Sequence, residues 1–314
     1  MSAISLFQFT AGKAAELKSK QSDLEKKLQN LIEDNLAPLF GVRFLATEYG
    51  TGPKHGGRID TLGIDENDSP VILEYKRSTG ENVISQGLYY LDWLLDHKAE
   101  FVQLVRTKLG GTAAADVDWS EPRVICVASD FTKYDAHAVQ QMGRNIELVR
   151  YKLFDGDLML LELTNSPSDS PKKTGGAKPG GAGTIPTVVP AKKSAAKDKP
   201  VAQWLTELST PMRARFDTIA GYAESLGDDV QRKDLVLYIA FKRLRNFMSV
   251  VLQKDRLYLY LKIDAATVVY EVGFTRDMRA IGHWGTGDVE VLIESDEDVE
   301  RAKPLILRAY TEGR

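Results

Sequence analysis

The sequence predicts an α/β first domain built on a mixed sheet, followed by a second, smaller α+β domain. Three observations carry this. Short alternating apolar runs interleave with helical apolar stripes over residues 1–164. Residues 165–200 then hold six of the twelve prolines and five glycines, with no aromatic residue. Residues 201–314 open and close on helical sequence with strands between.

Taken in order, the first domain starts with a helix near Ser22. Leu24, Leu28, Leu31, Ile32 and Leu36 recur on one face of it. Arg43 to Tyr49, Arg58 to Ile64 and Val71 to Arg77 alternate as strands, with turns at Gly56-Gly57 and Glu66-Asn67-Asp68. A helix runs from about Asn82 past Asp96 with Ile84, Leu88, Leu91 and Leu95 on its stripe, and Phe101, Leu104 and Val105 either continue it or form a second helix. Arg123 to Ala128 is a compact apolar strand, Tyr134 to Met142 a helix, and Glu147 to Phe154 with Asp157 to Leu163 a hairpin. The order is α-β-β-β-α-β for the core, then α-β-β.

Residues 165–200 cannot bury a core and read as a disordered basic Pro/Gly/Lys linker. It would leave the flanking domains free to move independently. The second domain opens with helix from Pro200 to about Leu226. Strands are expected at Leu235 to Phe241, Phe247 to Leu252, Leu257 to Ile263 and Val289 to Ile293, with a closing helix from Asp296 to Tyr310.

Several classes are excluded. Hydrophobic residues make up 43% and charged residues 27%, the balance of a globular chain. No run approaches the roughly 20 apolar residues of a membrane helix. Met1 to Lys18 lacks the apolar core of a signal peptide, and Cys126, the single cysteine, sits in an apolar strand, so no disulfide framework exists. A cytoplasmic protein with no membrane association is expected. The net charge of -3 does not advertise nucleic-acid binding, so that claim must rest on a local site.

The local site is Gly57-Arg58-Ile59-Asp60, thirteen residues, then Glu74-Tyr75-Lys76. Residues two apart on a strand share a face, so Glu74 and Lys76 point the same way. Pairing of the two strands through the intervening turn sets Asp60 beside Glu74. Two carboxylates about 4 Å apart repel by roughly 4 kcal/mol at an effective dielectric of 20. A hard divalent cation relieves that repulsion, and oxygen ligands suit Mg2+ or Mn2+. Lys76 beside it is placed to orient or deprotonate a water and to stabilise phosphate charge.

These residues resemble the PD-(D/E)XK nuclease superfamily. Gly57-Arg58-Ile59-Asp60, Ile72-Leu73-Glu74-Tyr75-Lys76 and the helix pair Gln86 and Tyr90 are closest to its RecB-like and NucS-like branch, over about residues 20–160. The resemblance implies a restriction-endonuclease-like fold and a metal-dependent endonuclease acting on DNA, in repair or defence. Asp60 and Glu74 would bind the metal, Lys76 would assist the water, and Gln86 with Tyr90 would complete the site. Glu25 enters as the family's first-helix acid, although Ser22-Asp23-Leu24-Glu25 also reads as a capping box. Ile59 stands where the branch commonly has proline.

Further candidates come from the residues alone. Glu48, in Thr47-Glu48-Tyr49, is a further candidate metal ligand, and His55 and Arg58 in a mobile, basic loop are placed to meet a phosphate backbone. The run Lys242-Arg243-Leu244-Arg245-Asn246 reads first as a solvated loop and second as a nucleic-acid or protein contact. The second domain resembles an uncharacterised C-terminal module found behind nuclease-like domains, through Tyr238 to Arg243, Asn246-Phe247 and His283 to Val291. The alternative to an enzyme is a non-catalytic nuclease-fold module that binds nucleic acid or a protein partner. DNA is the expected partner; RNA and a homodimer stay open.

Overall fold

The computed structural model describes residues 5–20, 25–79, 82–164, 199–283 and 285–313. The linker read at 165–200 therefore lies, up to residue 198, outside the described residues, as do Ser22, Asp23 and Leu24 of the capping box and Trp284.

The first unit begins with a hairpin that the sequence reading did not assign, β1 (Leu6–Thr10) and β2 (Lys13–Leu17). Its turn is the pair Ala11-Gly12, both at positive φ. A two-residue loop of that kind matches the twist of a hairpin. β3 (Ser19–Lys20) then joins the edge of the main sheet. The first predicted helix is two: α1 (Glu25–Glu33) and α2 (Leu36–Phe40). Leu28, Ile32 and Leu36 are buried as expected, while Leu31 is exposed, because only the narrower stripe faces the sheet.

The main sheet follows from β4 (Val42–Gly50), β5 (Arg58–Asp65), β6 (Pro70–Thr79), β7 (Arg123–Asp130), β8 (Asn145–Phe154) and β9 (Leu158–Leu163). The spatial order is β3-β8-β7-β6-β5-β4, with β9 also on β8. β6, β7 and β8 run parallel, and the remaining neighbours are antiparallel, so the sheet is mixed. The crossovers are α4 (Val83–Asp96), α5 (Lys98–Leu109) and α6 (Gly111–Asp116), then α7 (Lys133–Met142). A break at His97 separates α4 from α5, which settles the alternative of one helix or two. Thr132 and Asp135 cap α7 reciprocally. Side chains from alternate strand positions pack against α4, α5 and α7 on one face and against α1 and α2 on the other.

The second unit holds α8 (Val201–Glu207), α9 (Thr210–Ser225), β10 (Gln231–Asp234), β11 (Ile239–Lys242), β12 (Asn246–Gln253), β13 (Arg256–Leu261), β14 (Thr275–Asp277), β15 (Val289–Ile293) and α10 (Asp296–Glu312). Its sheet is antiparallel in the order β10-β11-β12-β13-β15-β14, with α9 and α10 over a common core. The strand expected at Leu235 to Phe241 instead straddles a reversal. Leu235 N–H donates to the Tyr238 carbonyl, and the chain turns back into β11. Apolar residues at the turn imitated strand continuity.

The two units dock, contrary to the independence expected of their tether. Phe241 enters the second unit's core, so its neighbour Lys242 points to the opposite face, toward the first unit. There Lys242 Nζ lies 2.9 Å from Glu147 Oε1 of β8. Arg123 of β7 donates to the same Glu147 carboxylate at 2.9 and 3.0 Å, and to Asp65 at 2.9 Å. All four side chains are buried. Burial alone would push the Glu147 carboxyl up; the Arg123 and Lys242 cations outweigh it and hold it well below the usual carboxylate range. The basic run read as a solvated loop therefore starts on a buried ion pair.

Candidate active site

β5 and β6 pair from Ile64↔Pro70 to Thr61↔Leu73, and the next opposed pair is Asp60 and Glu74. There the backbone ladder gives way to side chains. Glu74 Oε1 accepts from Asp60 N–H at 3.2 Å, and Asp60 Oδ2 accepts from Tyr75 N–H at 3.0 Å. Each carboxylate thus holds the opposite strand by one oxygen. Neither Asp60 Oδ1 nor Glu74 Oε2 has a hydrogen-bond partner among the described residues, and Glu74 Oε2 is buried.

That arrangement costs free energy. Burial first, then the Asp60 charge, pushes the Glu74 carboxyl up to about 9, against the smaller pull of Asp60 N–H and Lys76. Asp60 is raised too, mainly by burial, with the Tyr75 N–H and Lys76 opposing. A buried, unpartnered carboxylate oxygen beside a second carboxylate is a donor set that a hard divalent cation fits. Among the described residues, no three His, Cys, Asp or Glu side chains converge. The candidate donor set is this pair.

The other sequence candidates surround it unevenly. Lys76 is half-buried on β6, with Nζ 3.7 Å from Glu25 Oε2 of α1. Glu48 sits at φ 49° in β4, a conformation uncommon for a side chain with a Cβ. It pairs with Lys26 at 3.2 Å and with Arg58 at 3.5 Å. The charges of Glu25 and Glu48 both reach Asp60. Gln86 is half-buried in the first turn of α4, and its side chain has no partner among the described residues. Tyr90, one turn on, is buried and its hydroxyl accepts from Arg58 N–H at 3.2 Å, which makes it a support for the start of β5. His55 is not in a loop: it ends the single helical turn α3 (Gly52–His55), closed by Gly56 at φ 64°, with its ring tilted against that of Tyr89. Arg58 is largely exposed beside Glu48.

Sequence reasoning missed Gln29. Its amide donates to the Asp60 carbonyl at 2.7 Å and to Thr47 Oγ1 at 3.1 Å, tying α1 and β4 to the backbone of Asp60. Lys26, one turn earlier, reaches Gln29, Thr47 and Glu48. The signal was available: Glu25, Gln29 and Glu33 recur every four residues beside the apolar stripe, which is a polar seam rather than a solvated face.

Gly57 carries a further expected result. A Cβ there would lie 2.7 Å from the Tyr90 ring and 2.9 Å from its hydroxyl. Tyr90 is buried in α4, and its hydroxyl is held by Arg58 N–H. Gly57→Ala should therefore lower stability by about 1–3 kcal/mol through overpacking, read as a lower denaturation midpoint. A midpoint equal to that of the unaltered protein would show that the Tyr90 contact is loose.

Known proteins place the chain among relatives at two levels. The profile of a family described as a domain of unknown function, DUF5655, matches residues 201–312. An uncharacterized protein of Haemophilus influenzae strain Rd is 30% identical over 312 residues, covering 97% of this chain and 98% of that one. Partial similarity extends to the structure of the EndoMS–dsDNA2 complex, at 22% identity and a TM-score of 0.25, over 42% of this chain and 47% of that one. It also extends to a repair endonuclease from Pyrococcus abyssi, at 19% identity and a TM-score of 0.27, over 46% of this chain and 65% of that one. The chain thus spans about half of the first of these structures and just under two thirds of the second. No helix among the described residues is long and apolar enough to cross a membrane.

Proposed function

We propose, for a chain that belongs to the same family as the Haemophilus influenzae protein, a metal-dependent nuclease that hydrolyses phosphodiester bonds in DNA. The observation that carries it is the splayed end of β5 and β6. There Asp60 and Glu74 each keep one oxygen without a hydrogen-bond partner among the described residues, and Lys76 follows on the same strand. The oxygen pair suits a hard divalent cation, and Asp60 and Glu74 would be the residues that hold Mg2+ or Mn2+. When bound, the cation supplies a Lewis acid and a more acidic water.

The chain's own residues do the rest. Asp60 and Glu74 would hold the cation, and their hydrogen bonds across the strands keep their own spacing fixed. Lys76 Nζ orients the attacking water and faces the charge that builds on the phosphoryl oxygens. Water oxygen bonds to phosphorus, the bond from phosphorus to the leaving oxygen breaks, and the proton released by water ends in solvent while the leaving alkoxide takes another. Glu25 keeps the Lys76 ammonium near the strand. Gln29 fixes the Asp60 backbone, and Arg58, exposed at the mouth, meets the phosphate backbone.

The test is a panel of labelled DNA and RNA substrates with manganese and with EDTA. Cleavage of DNA in manganese and none in EDTA is the expected result. Cleavage that continues in EDTA overturns the metal-dependent reading. Binding of DNA with no cleavage under any divalent ion puts the non-catalytic module in its place.

A further inference from the structure

The β5–β6 hairpin has two ends. Its open end carries Asp60 and Glu74, and its turn is Glu66-Asn67-Asp68-Ser69. The second unit holds that turn at successive residues. Lys262 Nζ lies 3.1 Å from Glu66 Oε2, and the Asn67 amide oxygen accepts from Tyr238 at 2.9 Å and from Asn246 at 2.7 Å. Immediately before the turn, Asp65 is fixed by Arg123, and Arg123 by Glu147.

Charge makes this grip specific. Among the described residues of the first unit, Asp65 and Glu147 share one cation, Arg123, which leaves one buried negative charge in excess. Lys242, the cation supplied by the second unit, cancels it. Removing one partner of a buried ion pair leaves an uncompensated buried charge, which is far worse than removing both. Arg123 also stands opposite Val71 in the β6–β7 pairing, so the network fixes the register of the hairpin against the centre of the sheet. Asp60 lies five residues from Asp65, about 17 Å along one strand.

We infer that the C-terminal module is an intramolecular clamp on the β5–β6 turn, docked by charge balance through Lys242, and that its grip holds the strand ends bearing Asp60 and Glu74. The consequence for cleavage rests on the nuclease reading; the clamp does not.

The experiment uses the full chain with a protease recognition sequence inserted between residues 165 and 198 and cut after folding. In the unaltered background the two pieces should co-elute on gel filtration at micromolar concentration. Lys242→Met should weaken their association by about 10²–10³-fold. Lys242→Met combined with Glu147→Gln, which leaves Asp65 and Arg123 balanced, should recover association to within about tenfold of the original. In the uncut chain, Lys242→Met should also speed hydrogen exchange at the Asp60 and Tyr75 amides at least tenfold, and the double variant should reverse this. Should Lys242→Met fail to fold, the double variant must fold and co-elute. Pieces that separate without any substitution, or a double variant that behaves no better than the single one, would overturn the clamp. Unchanged exchange at Asp60 and Tyr75 would overturn the coupling to the strand ends. Intact co-elution with no metal-dependent cleavage would sink the nuclease reading alone.

Discussion

Lys76→Ala is expected to keep manganese and DNA binding and to lose turnover by about 10²–10⁴-fold. The reason is local charge. The Asp60 charge already raises the proton affinity of Glu74, and Glu25 and Glu48 add negative charge around Asp60. Lys76 opposes that field, so removing it makes the pair no worse a cation site. Manganese affinity should hold or rise. On the proposed mechanism, what disappears is the ammonium that would face the attacking water and the phosphoryl oxygens, a role exercised mainly in the transition state. The kinetic signature is a fall in kcat with KM changed by less than about threefold. Lys76→Arg keeps the charge but spreads it over a planar fork, so it should recover only part of the rate. Calorimetric titration of manganese beside a gel cleavage assay reads both quantities. Full turnover in Lys76→Ala would remove the lysine from the mechanism.

Much of the first sheet was legible because its strands are short and their patterns local. Val71-Ile72-Leu73 ahead of Glu74 announces a central strand that turns polar at its end, and the structure places that end where β5 and β6 part. The β1–β2 hairpin carried a comparable signal in Phe7 and Phe9 alternating with Gln8 and Thr10. It went unread because both faces of that hairpin are exposed, so no buried stripe marked it. The reversal between Leu235 and Tyr238 was hidden for the opposite reason: its residues are apolar although the chain turns there.

The docking of the two units could not be read from pattern. Lys242 stands in a basic run, and the Glu147 that buries it is 95 residues away. Composition describes a segment's average environment, whereas a single alternation along β11 sends Phe241 into one core and Lys242 into the interface. The same limit applies at the site. Asp60, Glu74 and Lys76 were visible as a spacing, and the structure brings Glu25 and Glu48 around them. The polar seam of Glu25, Gln29 and Glu33 was visible, but the role of Gln29 was not, since it is a hydrogen bond to the carbonyl of a residue 31 positions on.

Glu74→Gln should show the largest effect on stability and activity together, with opposite signs. Without divalent ions Glu74 is buried and titrates near 9 in the folded chain, against 4.5 for the ordinary carboxyl. The folded state therefore holds a proton that the unfolded state releases. Stability is fully present below about pH 4.5 and is lost as pH rises toward 9, by up to about 1.4 kcal/mol per pH unit. Asp60, also raised, adds to the same trend. Glutamine keeps the oxygen that accepts from Asp60 N–H and carries no charge at any pH. Between pH 6 and 8 the unaltered protein should lose about 2–3 kcal/mol that Glu74→Gln does not. At pH 8 without metal the variant should thus be the more stable of the two. Manganese should reverse the order. At a hundred times its dissociation constant it stabilises a binding site by about 2.7 kcal/mol, and near pH 7 its binding should release about one proton as Glu74 ionises. The variant, lacking a carboxylate at that position, should gain little from manganese and lose cleavage by about 10³-fold or more. Thermal melts from pH 6 to 9 with and without manganese, and proton release measured in buffers of different ionisation enthalpy, test each step. A melting temperature insensitive to manganese, or a Glu74→Gln protein with the pH slope of the unaltered chain, would remove Glu74 from the metal site and the mechanism with it.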